Sequence, residues 1–189
     1  CGSSRDINKG KEIHEEVVCR GFLKSNITLG TALLDMYVKC GMLMKSWEVL
    51  EELPERNEVT WSALIAGYAQ QGHVHEAFNC FMMMQYEGLS PDSVTFTSIL
   101  KACGSIYALE KGQLIHDEIV DRELLKKDNF LGNALVDMYA KCGALAKAQQ
   151  VLFELNMRNV VTWNALITGY AQQGQGHEAL NCVKCMQCE

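Results

Sequence analysis

Apolar positions follow a helical period along the chain. In residues 58–92, Val59, Trp61, Leu64, Ile65 and Tyr68 recur at the spacing of one helix face. Gly72 closes that run, since glycine tolerates the left-handed conformation a helix end needs. Ala77, Phe78, Phe81 and Met84 form a second stripe. "EGLSPD" (87–92) then breaks it, because proline cannot continue a helix and constrains its predecessor. The pattern predicts two helices joined by a tight turn. No alternating run of useful length predicts a strand.

This two-helix unit recurs. Residues 1–87 align without gaps on 103–189, and more than half of the aligned pairs are identical. "RNEVTWSALIAGYAQQGHVHEAFNC" (56–80) returns as "RNVVTWNALITGYAQQGQGHEALNC" (158–182), and "LLDMYVKCG" (33–41) as "LVDMYAKCG" (135–143). A shorter period lies inside the long one. "TALLDMYVKCG", "SALIAGYAQQG", "TSILKACGSIY", "NALVDMYAKCG" and "NALITGYAQQG" begin at 31, 62, 97, 133 and 164, in steps of 31, 35, 36 and 31. A lone helix pair cannot bury its apolar face, so neighbours must stack into an α-solenoid with a concave surface.

Composition narrows the chemistry. The chain has 189 residues, 48% of them apolar, and two prolines, enough for a substantial core. No stretch approaches the roughly 18 uninterrupted apolar residues of a membrane span. The formal net charge of −6 excludes binding of nucleic acid mainly by phosphate neutralisation; recognition would have to rest on specific side chains. The nine cysteines sit in helical patterns, unlike the loop-rich disulfide frameworks of small secreted proteins, which predicts reduced thiols in an intracellular compartment.

The helix pair and period fit two repeat families. Tetratricopeptide repeats keep a fixed length of about 34 residues and a W-x2-L-G-x2-Y core. "WSALIAGY" has the Trp, Leu, Gly and Tyr, but Gly67 directly precedes Tyr68, and the units vary in length. The sequence instead closely resembles the pentatricopeptide repeat family in its plant PLS-type arrangement. "VTWNALITGYAQQG" and "GLSPDSVTF" resemble its ordinary P unit, "TFTSILKACGSIYALEKGQLIH" its long L unit, and "GNALVDMYAKCGALAKAQQVL" its short S unit. The resemblance covers the whole chain. It implies an all-α, right-handed α-solenoid (superhelix) of five to six helix-turn-helix repeats. The units are a truncated L at 1–26, S at 27–57, P at 58–92, L at 93–128, S at 129–159 and a truncated P at 160–189. Cys1 aligns inside an L unit and Glu189 inside a P unit, so the chain reads as part of a longer array.

The resemblance implies sequence-specific binding of single-stranded RNA, about one base per repeat. In the family, the fifth and last residues of a unit select the base. Carried over, the pairs are Thr31 with Asn57 (favouring A), Ser62 with Asp92 (G), Thr97 with Asp128 (an L unit, base open) and Asn133 with Asn159 (C). Asn164 stands alone, favouring a pyrimidine. The implied target is 5′-A-G-x-C-pyrimidine. Second-position residues Thr28, Val59, Val94, Phe130 and Val161 would flank the bases. A purely structural role for Asn57 and Asp92 is helix capping, since each precedes a helix start; for the second-position residues it is packing at a helix start. The resemblance further implies a mitochondrial or chloroplast setting, and a part in C-to-U RNA editing or RNA processing beside other such factors. It implies no catalysis by the array itself, no cofactor and no small-molecule substrate. A tetratricopeptide-like protein-binding scaffold is the alternative.

Rival chemistry is weaker. "CVKCMQC" (182–188) offers Cys182, Cys185 and Cys188, but structural zinc needs four ligands. The matching segment reads "CFMMMQY", with Met83 and Tyr86 in place of two of the cysteines. His116, Glu118, Cys182 and Cys185 spell part of the deaminase signature H-x-E…P-C-x-x-C, yet Asn181 replaces the proline. His14 and Glu16 repeat the first half, so His116 and Glu118 read as a repeat-borne helix surface. His75 and His177 read as surface residues at a helix start. "LLKKD" (124–128) reads as a solvated turn, and Cys40 as a small packing residue beside the helix-closing Gly41.

Overall fold

The computed structural model describes residues 4–24, 26–126 and 128–188, with side chains from 8 onward except at Lys24 and Lys126. Cys1 and Glu189 lie outside the described residues. Every regular element among the described residues is helical. The helices are α1 (Ser4–Cys19), α2 (Ile27–Lys39), α3 (Leu43–Glu52), α4 (Glu58–Gln70), α5 (Val74–Tyr86), α6 (Ser93–Ser105), α7 (Leu109–Asp121), α8 (Asn129–Lys141), α9 (Leu145–Glu154), α10 (Val160–Gln172) and α11 (Gly176–Cys188). Single 3-10 turns, Phe22–Lys24 and Leu124–Lys126, precede α2 and α8. No helix among the described residues is long and apolar enough to cross a membrane.

The chain divides into two compact units, Cys1–Thr95 and Phe96–Glu189. In the first, α2 packs on α1, α3 and α4, and α4 packs on α3 and α5. In the second, α8 packs on α7, α9 and α10, and α10 packs on α9 and α11. In each unit, two successive first helices, α2 and α4 or α8 and α10, thus touch each other and their own partners. Leu34, Tyr37, Leu50, Trp61, Leu64, Ile65 and Phe81 fill the first core. Ile99, Leu100, Leu131, Leu135, Tyr139, Leu152 and Leu166 fill the second.

The apolar stripe of α4 is narrower than the sequence suggests. Trp61, Leu64, Ile65 and Tyr68 are buried, but Val59 is 60% exposed. Residues two apart on a helix point to different faces, so Val59 cannot share the face of Trp61. A second correction concerns His14 and His116. They are half-buried and engaged rather than open helix surface: His14 Nδ1 lies 3.0 Å from Tyr37 Oη, and His116 Nδ1 lies 2.8 Å from Tyr139 Oη. The two histidines therefore tie α1 to α2 and α7 to α8.

Helix ends follow local chemistry. Gly41, Gly72, Gly143 and Gly174 all adopt positive φ after a first helix. The chain then turns back, as in the 2.9 Å bond from His73 N–H to the Tyr68 carbonyl. Gly67 has a different reason to be glycine. A Cβ there would stand 2.2 Å from Val38 Cγ1, so α2 and α4 approach closely only because it has none.

Candidate nucleic-acid interface

Helices α2, α4, α8 and α10 begin at residues 27, 58, 129 and 160, immediately after a capping Asn26, Asn57, Asp128 or Asn159. The first four backbone N–H groups of a helix have no partner within it, and a side-chain oxygen just before the helix supplies one. Asn57 Oδ1 accepts from Thr60 N–H at 3.0 Å. Asn159 Oδ1 accepts from Val161 N–H at 2.8 Å and Thr162 N–H at 3.1 Å. Asp92 Oδ1 accepts from Thr95 N–H at 2.8 Å, ahead of α6. Asp128 Oδ1 accepts from Phe130 N–H at 2.8 Å.

Capping fixes which end of each amide is left over. The main chain holds the oxygens of Asn57 and Asn159, so their Nδ2 ends turn elsewhere. Asn159 Nδ2 donates to Asn133 Oδ1 at 3.2 Å, which leaves Asn133 Nδ2 as a donor too. The structure therefore brings Asn133 and Asn159 together as a pair of amide donors. Thr31 spends its hydroxyl proton on the Ile27 carbonyl at 2.9 Å, so its oxygen is left as an acceptor beside Asn57. Ser62 is buried and reaches Asp92 only through Thr95. Thr97 and Asp128 are not joined by any hydrogen bond among the described residues; Asp128 serves the start of α8.

Two cavities collect the remaining positions. One, of about 500 Å³, lies in the second unit along α6, α8 and α10, and its lining includes Thr97, Asn133 and Asn164. Phe130 and Val161 also line it, 76% and 61% exposed. Another, also about 500 Å³, lies in the first unit and is lined by Thr28, Thr31, Asn57 and Val59 among others. Val94 is 61% exposed at the first turn of α6. Burying apolar side chains drives folding, so these exposed apolar groups beside polar ones make this face the candidate binding surface.

The sequence pattern alone does not single out several residues of this face. Lys101, Asp137, Lys141, Thr168 and Gln172 also line the cavity of the second unit, and Lys141 Nζ is paired with Asp137 at 2.7 Å. Beneath the face, fully buried and not part of its surface, Thr60, Thr95 and Thr162 each lie three residues after a capping Asn or Asp. The spacing of a capping box, a cap residue followed three positions later by a side chain that answers it, is the signal that finds them.

Cys182 is buried, whereas Cys185 and Cys188 are exposed. Among the described residues no three His, Cys, Asp or Glu side chains stand close enough together to hold a metal. Burial pushes the Cys80 thiol up to about 12 and Cys103 up to about 11, away from the thiolate a nucleophile needs. Burial also lowers the pKa of His116, with Asp117 and Glu154 opposing the effect.

Together these features define a class: a tandem array of two-helix hairpins whose capped junctions carry polar pairs, flanked by exposed apolar groups. The comparisons with known proteins give the family. The model of the PPR repeat family matches residues 56–105, and that of the PPR repeat matches 31–58, 133–160 and 161–189. The chain belongs to the pentatricopeptide repeat family, which sets aside the tetratricopeptide alternative. It is 41% identical over 185 residues to the pentatricopeptide repeat-containing protein At3g09040, mitochondrial, of Arabidopsis thaliana, covering 98% of this chain and 18% of the relative. It is 43% identical over 178 residues to CRR2, chloroplastic, of the same plant, covering 92% and 26%. The chain thus spans a minor part of such relatives' length. Among solved structures, maize PPR10 in complex with an 18-nt psaJ RNA element superposes with a TM-score of 0.79 at 25% identity, over 96% of this chain and 28% of that one. The PPR domain of Arabidopsis protein-only RNase P 1 matches with a TM-score of 0.63 at 13% identity, over 82% and 85%. Both comparisons agree on a pentatricopeptide α-solenoid fold.

Proposed function

We propose that this chain reads single-stranded RNA, about one base per repeat, with unit borders at 27, 58, 93, 129 and 160. The meeting of Asn133 and Asn159, beside the exposed Phe130 and the cavity, carries the reading. A flat base fits between Phe130 and Val161, and its edge meets the polar pair. Two amide donors suit cytosine, which offers N3 and O2 as adjacent acceptors. In the first unit, Asn57 Nδ2 as donor and Thr31 Oγ1 as acceptor suit adenine, which offers N1 and N6–H2. The Ser62–Asp92 pair is assigned to G, and Asn164 to a pyrimidine. Thr97 and Asp128 carry no base assignment. Thr28 and Val94 join Val59 as base-flanking groups.

The array is a binding module that supplies an address; chemistry comes from another domain or partner. Relatives named mitochondrial and chloroplastic support an organellar transcript as the target, and RNA editing or processing as the process. Selection from a random single-stranded RNA pool tests this. The expected core is 5′-A-G-x-C-pyrimidine. Replacing any one matched base should weaken binding by about 1–3 kcal/mol, the usual worth of a matched polar contact. Equal affinity for a scrambled core would overturn the reading.

A further inference from the structure

Thr95 stands apart from the two threonines at matching positions. The hydroxyls of Thr60 and Thr162 fold back on the main chain. Each donates to the carbonyl of its cap residue, Asn57 at 2.8 Å or Asn159 at 2.7 Å, and each accepts from that residue's N–H at 3.0 Å. Neither touches the side-chain group that faces a base. Thr95 Oγ1 instead lies 2.7 Å from Asp92 Oδ1 and 2.6 Å from Ser62 Oγ. Thr95 is fully buried and Ser62 nearly so.

The protons in this chain can be placed by counting. A carboxylate only accepts, so the Thr95 hydroxyl must donate to Asp92. A hydroxyl has one proton, so Thr95 has none left for Ser62, and Ser62 must donate to Thr95. The chain therefore runs Ser62 O–H to Thr95 O–H to Asp92 Oδ1, with Thr95 N–H as a second donor to the same oxygen. Every site that Ser62 and Asp92 still offer is an acceptor: lone pairs on Ser62 Oγ and the free Asp92 Oδ2. Guanine is the base whose pairing edge presents two adjacent donors, N1–H and N2–H2.

We infer that Thr95 is a positioning residue for base selection, holding the Ser62 proton inward and the Asp92 carboxylate fixed so that this repeat presents acceptors alone. The inference rests on the RNA-reading function proposed above. Removing the Thr95 hydroxyl frees the Ser62 proton to point at a base and lets the carboxylate rotate. A donor then becomes available, and adenine, with its N1 acceptor, is no longer rejected.

The test compares Thr95→Val, Thr95→Ser and Thr60→Val in the full chain, using RNAs that differ only at the second base of the selected core. Wild type and Thr95→Ser should prefer G over A to the same degree, within twofold. Thr95→Val should lose tenfold or more of that preference while leaving the preferences at the other bases intact. Thr60→Val, which removes a hydroxyl bound to backbone, should lower the melting temperature without changing any preference. A folded Thr95→Val that keeps its G preference within twofold overturns the inference and leaves the RNA-reading function standing. A wild-type chain with no base preference anywhere overturns both. If Thr95→Val does not fold, the wild-type protein decides by NMR. A slowly exchanging Thr95 hydroxyl proton supports the relay, and one exchanging at solvent rates overturns it.

Discussion

The imidazole of His116 shows how one side chain can couple folding to pH. Its Nδ1 is bonded to Tyr139, and its Nε2 is buried with no partner among the described residues. Burial lowers its pKa below that of an unfolded histidine, near 6.5. Between the two values the unfolded chain binds more protons than the folded one, so stability is full above about pH 6.5 and falls as the solution is acidified. Urea unfolding from pH 7 to 5 should show a loss of up to about 1.4 kcal/mol per pH unit for one proton. His116→Gln should flatten that slope, and an unchanged slope would mean that other groups carry it. None of this was legible in the sequence. His116 was visible only as a repeated H-x-E; its partner lies on the next helix, and no local pattern reports a contact between two helices. Asn57 and Asp92 were legible as caps because capping is a local event, settled within three residues; Asn159 caps α10 in the same way.

At the scale of the helix, the close approach of α2 and α4 depends on Gly67. Alanine there would gain about 1 kcal/mol of helix propensity but would have to displace Val38, a stiff branched side chain, at about 1–3 kcal/mol. Gly67→Ala should therefore destabilise the chain by about 1 kcal/mol in thermal or urea unfolding. A more stable variant would mean that Val38 gives way. Helix number and order were legible because apolar spacing and glycine breaks repeat from hairpin to hairpin. Val59 reads two ways in the sequence, in the apolar stripe of α4 and as a base-flanking position, and it is exposed. Its valine chemistry matches the core of α4, and only the angular step between residues two apart reveals that it points outward. Tyr107 was hidden for a related reason. It takes a φ of 57° where other hairpins use glycine, and no composition rule announces a tyrosine in that conformation.

For the whole molecule, charge sets an expectation. The net charge is −6, and Lys141 on the cavity wall is already paired with Asp137. Lys101 is the other cation lining that cavity, which leaves little charge there to displace counterions from RNA phosphates. With Lys101 and Lys141 as contacts, the slope of log affinity against log salt should be only about −1 to −2, at roughly 0.7 per neutralised phosphate. Titrations between about 50 and 200 mM salt would measure it. A slope of about −5 or steeper would show that phosphates, not base edges, dominate the binding.

On the function proposed above, the junction residues have a double duty, which bears on how such a protein would change its target. A residue that must both start a helix and read a letter is confined to the side chains able to start one, namely Asn, Asp, Ser or Thr. Exchanging Asn for Asp at 57 or 159, or Asp for Asn at 92, replaces one good cap by another, so the scaffold feels little while the hydrogen-bonding face presented at that junction is rewritten. Retargeting is thereby decoupled from folding. A lineage of such arrays can drift from one address to another by single substitutions without passing through unfolded intermediates.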